Sequence, residues 1–193
     1  MMPTFHTLQG ASAADPARPH LILVGLPGAG KTTVGESTAQ RLGRPFLDFD
    51  REIERREGAS VAQIFAERGE AYFRQREREL TAELATVGGM VLSPGGGWIT
   101  NSEVVALLRP PGRIIYLDVT PATALRRLGP ERGTRPLLAR ADPLAEIERL
   151  YEQRRPVYAA ADHTVNTEII TAQQVIDRVV ELASTFWGGY VTP

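Results

Sequence analysis

Cysteine is absent from this 193-residue chain, which excludes disulfides, thiolate metal centres and a cysteine nucleophile, and suits a reducing compartment. Long apolar runs are absent too. Those present, such as Leu21 to Val24 and Ile114 to Leu117, are strand-sized and far short of the roughly 20 residues that cross a bilayer, so no transmembrane helix is expected. Net charge is nearly absent, 22 Lys and Arg facing 23 Asp and Glu for a formal −1. No broad basic field therefore exists to hold nucleic acid or an anionic membrane, and any anion must be bound by local groups. Residues 1–19 lack the basic start and continuous apolar stretch of a secretory signal. They are expected to form a loose N-terminal extension, residues 187–193 a C-terminal tail, and the cytoplasm is the expected location. The length suits one core and one domain, residues 20–186.

What is present alternates between strand and helix signals. Leu21-Ile22-Leu23-Val24 is apolar on both faces, as a central parallel strand between helix layers requires. Helical patterns are expected over Thr32–Leu42, Arg51–Glu57, Ser60–Arg68 and Glu70–Val87, with Gly43, Gly58 and Gly69 as punctuation. Further helices are expected over Ser102–Leu108, residues 121–128, Leu144–Ala161 and Thr171–Phe186. Short strands are expected at Pro45–Asp48, Met90–Ser93, Arg113–Val119 and His163–Val165. Such alternation indicates an α/β fold built on a parallel sheet with helices on both faces.

The strongest chemical signal is Gly25-Leu26-Pro27-Gly28-Ala29-Gly30-Lys31-Thr32, a G-x-x-x-x-G-K-[ST] phosphate loop directly after a strand and opening a helix. Its glycines let backbone N–H groups turn toward phosphates, and the helix N-terminus adds partial positive charge. Lys31 suits the β- and γ-phosphates and the Thr32 hydroxyl suits Mg²⁺. A mere strand-to-helix turn would need neither side chain.

A phosphate loop names the donor, ATP, and leaves the acceptor open. Asp48 and Asp50 flank Phe49 at the C-terminal end of the second strand, where strand periodicity would point both the same way. They suit either the metal and proton-accepting tasks of phosphoryl transfer or a helix cap with a neighbouring surface charge. Arg74, Glu77 and Arg78 share a helix face, where Glu77 either orients an arginine or belongs to solvated salt-bridge decoration. Gly95-Gly96-Gly97 marks either a flexible turn or a place where something approaches the backbone closely. The Arg-, Gly- and Pro-rich stretch 129–140, with Arg132, Arg135 and Arg140, reads as a lid over the phosphates or as a polar connector. Arg154-Arg155-Pro156 ends a helical segment, where basic residues also complement the helix dipole.

In combination and in order, these pieces resemble the shikimate kinase family. The matching stretches are GLPGAGKTT at 25–33, FLDFDREIE at 46–54, IFAERGEAYFRQRE at 64–77, LSPGGG at 92–97, RPLL at 135–138 and RRPVYAAADHTVNT at 154–167. The resemblance runs from about His20 to Leu182. It implies a P-loop kinase fold: a central five-stranded parallel sheet flanked by helices, with a short lid at about 129–140 and a substrate-binding helical segment. It also implies ATP-dependent phosphorylation of the 3-hydroxyl of shikimate, a step of aromatic amino-acid biosynthesis, by a monomer that engages neither nucleic acid nor membrane. The alternatives are a kinase for another small hydroxy acid such as gluconate, or a ligand-sensing domain without catalysis.

Carried over position by position, the resemblance gives catalytic roles to Lys31, Asp50 and Arg135. ATP would be bound by Gly28, Ala29, Gly30, Lys31, Thr32, Thr33, Arg127 and Arg135. The acceptor would be bound by Asp50, Arg74, Gly95, Gly96, Gly97 and Arg154, and Mg²⁺ by Thr32 and Asp48. Phe65 and Phe73 would wall the pocket or belong to the core. Trp98 departs from the family pattern, which has a small residue after the glycines; its ring would narrow the pocket or pack beneath it.

Overall fold

The computed structural model describes residues 18–129, 138 and 142–186. The expected extension, tail and nearly all of the expected lid, Arg135 included, lie outside the described residues.

Five parallel strands form one sheet in the order β2 (Phe46–Asp48), β3 (Val91–Ser93), β1 (Leu21–Val24), β4 (Arg113–Asp118), β5 (His163–Asn166). β1 lies at the centre because it is apolar on both faces, every residue being 0–3 % exposed. Leu21 pairs with Val91 on one side and with Arg113 on the other. From β1 the chain crosses to the edge strand β2 and returns to β3 on one side, then passes to β4 and β5 on the other. This reversal opens a crevice at the carboxyl end of β1, the place where open α/β sheets take ligands. The loops leaving β1, β2 and β3 all emerge at that edge.

α1 (Lys31–Arg41) and α7 (Ala172–Phe186) pack together against the sheet, and α3 (Val61–Leu84) packs with α2 (Phe49–Glu57) and α4 (Ser102–Leu108). α5 (Pro121–Leu128) packs with α6 (Pro143–Tyr158). α2 and α3 form the helical segment beside β2. Gly58 ends α2 at φ 65°, and Ser60 opens α3 with a capping box shared with Gln63. Gly69, at φ 81° and ψ 167°, is non-helical and breaks α3 into two halves that meet at a kink, as its punctuation suggests.

α2 begins at Phe49, before the expected Arg51, because the Asp48 carboxylate accepts the Arg51 N–H at 3.3 Å as an N-cap. Asp50 therefore stands in the first turn of a helix, and strand alternation is not what relates it to Asp48.

Candidate active site

The loop after β1 is built for close backbone approach. Gly28 has φ 84° and lies so near the Ala124 carbonyl that a methyl group would collide with it. Gly30 precedes α1 at φ 90° with no side chain capping the helix, so the first N–H groups of α1 are left for a ligand. Lys31 arches back, its Nζ donating to the carbonyls of Gly25 (3.0 Å) and Leu26 (3.1 Å). Thr32 Oγ1 donates to Asp48 Oδ2 at 2.7 Å, tying the start of α1 to the end of β2. A hydroxyl beside a carboxylate is a hard-oxygen pair. Among the described residues no cluster of three or more His, Cys, Asp or Glu could hold a metal by itself. The pair fits Mg²⁺, which keeps most of its waters and takes phosphate oxygens as ligands.

A cavity of about 520 Å³ starts at this loop. Gly28, Ala29, Gly30, Lys31, Thr32 and Thr33 line the end next to the loop, with Arg127 and Thr167 beyond them. Arg127 is fixed by donating to the Thr167 hydroxyl (2.9 Å) and carbonyl (2.6 Å). Asp48, Asp50, Gly95 and Gly96 line the other end. The volume falls within the range of small-molecule sites.

The glycine triplet has a distinct reason at each position. A methyl on Gly95 would lie 2.7 Å from Glu77 Oε1 and 3.1 Å from Asp50 Oδ1. On Gly96 it would lie 2.9 Å from an Arg154 guanidinium nitrogen, and on Gly97 2.5 Å from one of Arg74. What approaches this backbone is a ring of charged side chains from α2, α3 and α6. Arg74, Gly97 and Arg154 do not line the cavity itself; they stand against the loop that does.

Arg74 donates to Glu77 at 2.5 Å and to Glu70 at 2.8 Å. The Glu70 pair is half exposed and is the surface decoration the spacing allows; in the other pair the Glu77 carboxylate is buried and Arg74 only partly so. Burial works against the Arg74 charge, but Glu77 and Glu70 outweigh it and raise its pKa. Burial also raises the Glu77 carboxyl above its ordinary value, with Asp50 pushing the same way and Arg74 and Arg154 opposing. Glu77 Oε1 has no hydrogen-bond partner among the described residues. Arg154 is 6 % exposed, which excludes a role as a solvated helix-end charge; exposed Arg155 fills that role.

Phe73 is buried and tilted against the partly buried Phe65 at 5.2 Å, and both pack with the hydrophobic core. Trp98 is buried beneath the glycine loop and does not narrow the cavity.

The family model for shikimate kinase matches residues 27–184. The shikimate kinase of Symbiobacterium thermophilum is 43% identical over 164 residues, covering 84% of this chain and 94% of its own. That of Burkholderia pseudomallei is 46% identical over 153 residues, covering 79% and 82%. The chain belongs to the shikimate kinase family. Its activity is that family's, ATP-dependent phosphorylation of shikimate, and the alternative acceptors are not favoured. A solved structure of shikimate kinase from Acinetobacter baumannii in complex with shikimate superposes with a TM-score of 0.82 at 37% identity, covering 88% of this chain and 95% of that one. The five-stranded parallel sheet with flanking helices agrees with the sequence expectation.

Glu77 is the site neighbour that sequence reasoning undervalued. Its spacing from Arg74 showed a shared helix face, but spacing does not reveal that the face is turned inward against Gly95.

Proposed function

We propose that the two ends of the cavity divide the shikimate kinase reaction between them. At the donor end, backbone N–H groups from Gly28 to Thr33 cradle the phosphates, Lys31 holds the β- and γ-phosphates and Arg127 borders the adenine. Thr32 and Asp48 hold Mg²⁺, which when bound offsets phosphate charge. At the acceptor end, Arg74 and Arg154 grip the shikimate carboxylate, for which planar guanidinium forks are suited. The backbone of Gly95, Gly96 and Gly97 lies against the ring, and Asp50 orients the 3-hydroxyl and takes its proton as the oxygen attacks the γ-phosphorus. Arg135, outside the described residues, supplies positive charge to the transferring phosphoryl group and helps exclude water as a competing acceptor.

The observation that carries this reading is the single cavity shared by Lys31 and Asp50. A cytoplasmic monomer is the form proposed. It is supported by few exposed large apolar side chains among the described residues, Leu107, Leu144 and Ile169, and by the lack there of any helix long and apolar enough to cross a membrane. The test is coupled ADP release across a panel of hydroxy acids with and without Mg²⁺. ADP should form with shikimate and Mg²⁺ together and not with gluconate. Lys31→Ala and Asp50→Asn should each lower kcat by about a hundredfold or more. Full activity in both variants would overturn the roles.

A further inference from the structure

Trp98 follows Gly97 and begins a short 3₁₀ turn, Trp98–Thr100. Its indole is 1 % exposed, and its Nε1–H donates to Thr81 Oγ1 at 3.0 Å. That hydroxyl in turn donates to the Glu77 carbonyl at 2.6 Å. The hydroxyl thus has a donor and an acceptor inside a fully buried environment, where a missing partner is costly. The indole edge also meets Phe49, centroids 6.3 Å apart at 73°, a favourable aromatic geometry. Phe49 immediately precedes Asp50. Three acceptor-side segments therefore meet on one ring: the glycine loop, the start of α2 with Asp50, and the stretch of α3 that bears Arg74 and Glu77. A residue that only filled space would need no hydrogen-bond donor; the β2–β3 ladder pairs the chain as far as Asp48 and Ser93, and beyond it, among the described residues, no loop or cap backbone hydrogen bond joins these three segments.

We propose that Trp98 is a positioning residue for the acceptor: its bond to Thr81 holds the glycine loop in register along α3 and so fixes Gly97 against the Arg74 guanidinium. The inference rests on the acceptor reading given above. It acts on shikimate binding and not on ATP, because the brace lies on the acceptor side of the glycine loop.

The experiment compares Trp98→Phe, which keeps a ring against Phe49 and removes the N–H, with Thr81→Val, which removes the acceptor at nearly constant size. Each should raise KM for shikimate about three- to tenfold while KM for ATP stays within about twofold. The double variant should be no worse than the worse single one, since both remove the same bond. A lowered Tm with both KM values unchanged, or equal rises in both, would reduce Trp98 to a packing role and overturn the proposal. Should Trp98→Phe fail to fold, Thr81→Val carries the same comparison. A second readout uses a Trp187→Phe background, where Trp98 is the remaining tryptophan of the two in the chain. Shikimate without nucleotide should change its emission saturably, and no change would count against the proposal. Arg74→Ala is measured alongside. An unchanged KM for shikimate there sinks the acceptor reading itself, whereas a raised one with silent Trp98 and Thr81 variants sinks this inference alone.

Discussion

Arg74 and Arg154 reach the same loop in different electrostatic states. Arg74 is already paired with two carboxylates, one buried and one exposed, whereas Arg154 is buried against Gly96. In the proposed acceptor site an incoming carboxylate would share Arg74 with Glu77, so the substrate's gain there would be a difference between two ion pairs. Arg154→Ala should therefore raise KM for shikimate more than Arg74→Ala, with both effects in the range of about tenfold to a hundredfold. Arg→Lys at either position should recover only part, because an ammonium cannot form the planar fork. Initial rates over a shikimate titration at saturating ATP check both statements. At this scale the sequence was informative where a motif fixes the local fold, as where Gly30 leads into α1 at Lys31, and ambiguous where it fixes only spacing. The Arg74, Glu77, Arg78 pattern is the same whether a helix face looks outward or inward. Burial decides between those readings, and burial is set by residues distant in the chain.

At the scale of elements, the glycine loop is a backbone ledge between charged side chains. Gly97→Ala should displace the Arg74 guanidinium, which lies 2.5 Å from the added methyl position. The expected result is a rise in KM for shikimate of about tenfold with ATP binding nearly unchanged, measured by titrating each substrate separately. Strand β1 carries a second device at its head. His20 is buried, its Nε2–H donating to the Leu84 carbonyl at 3.0 Å while Nδ1 accepts the Met90 N–H at 3.3 Å. That arrangement needs the neutral ring, and burial lowers its pKa, with Arg44 assisting and the backbone hydrogen bonds opposing. A lowered folded-state pKa means the unfolded chain takes the proton first. The contribution is complete above the ordinary value of 6.5 and is lost as pH falls through the folded pKa, with a slope of at most about 1.4 kcal/mol per pH unit. Tm measured from pH 7.5 downward should fall more steeply for the native chain than for His20→Gln. Helix and strand order was largely readable from periodicity and glycine punctuation. The start of α2 was not, because Asp48 serves both strand end and helix cap, and local pattern does not rank the two.

At the scale of the whole molecule, function follows from the reversal of strand order beside β1 in a sheet whose strands all run parallel. The loops after β1, β2 and β3 are far apart in sequence and share one edge of the sheet, so the proposed nucleotide and acceptor sites open into one cavity. The apolar strands made the parallel sheet legible from the sequence. The convergence of α2, α3 and α6 on the glycine loop was not, since no local signal records which helix faces meet. The most direct measurement is a crystal structure with shikimate and a non-hydrolysable ATP analogue bound together. The carboxylate of shikimate should lie against Arg74 and Arg154, with its 3-hydroxyl between Asp50 and the terminal phosphate held by Lys31. Shikimate bound elsewhere, or Asp50, Arg74 and Arg154 all turned away from it, would contradict the account.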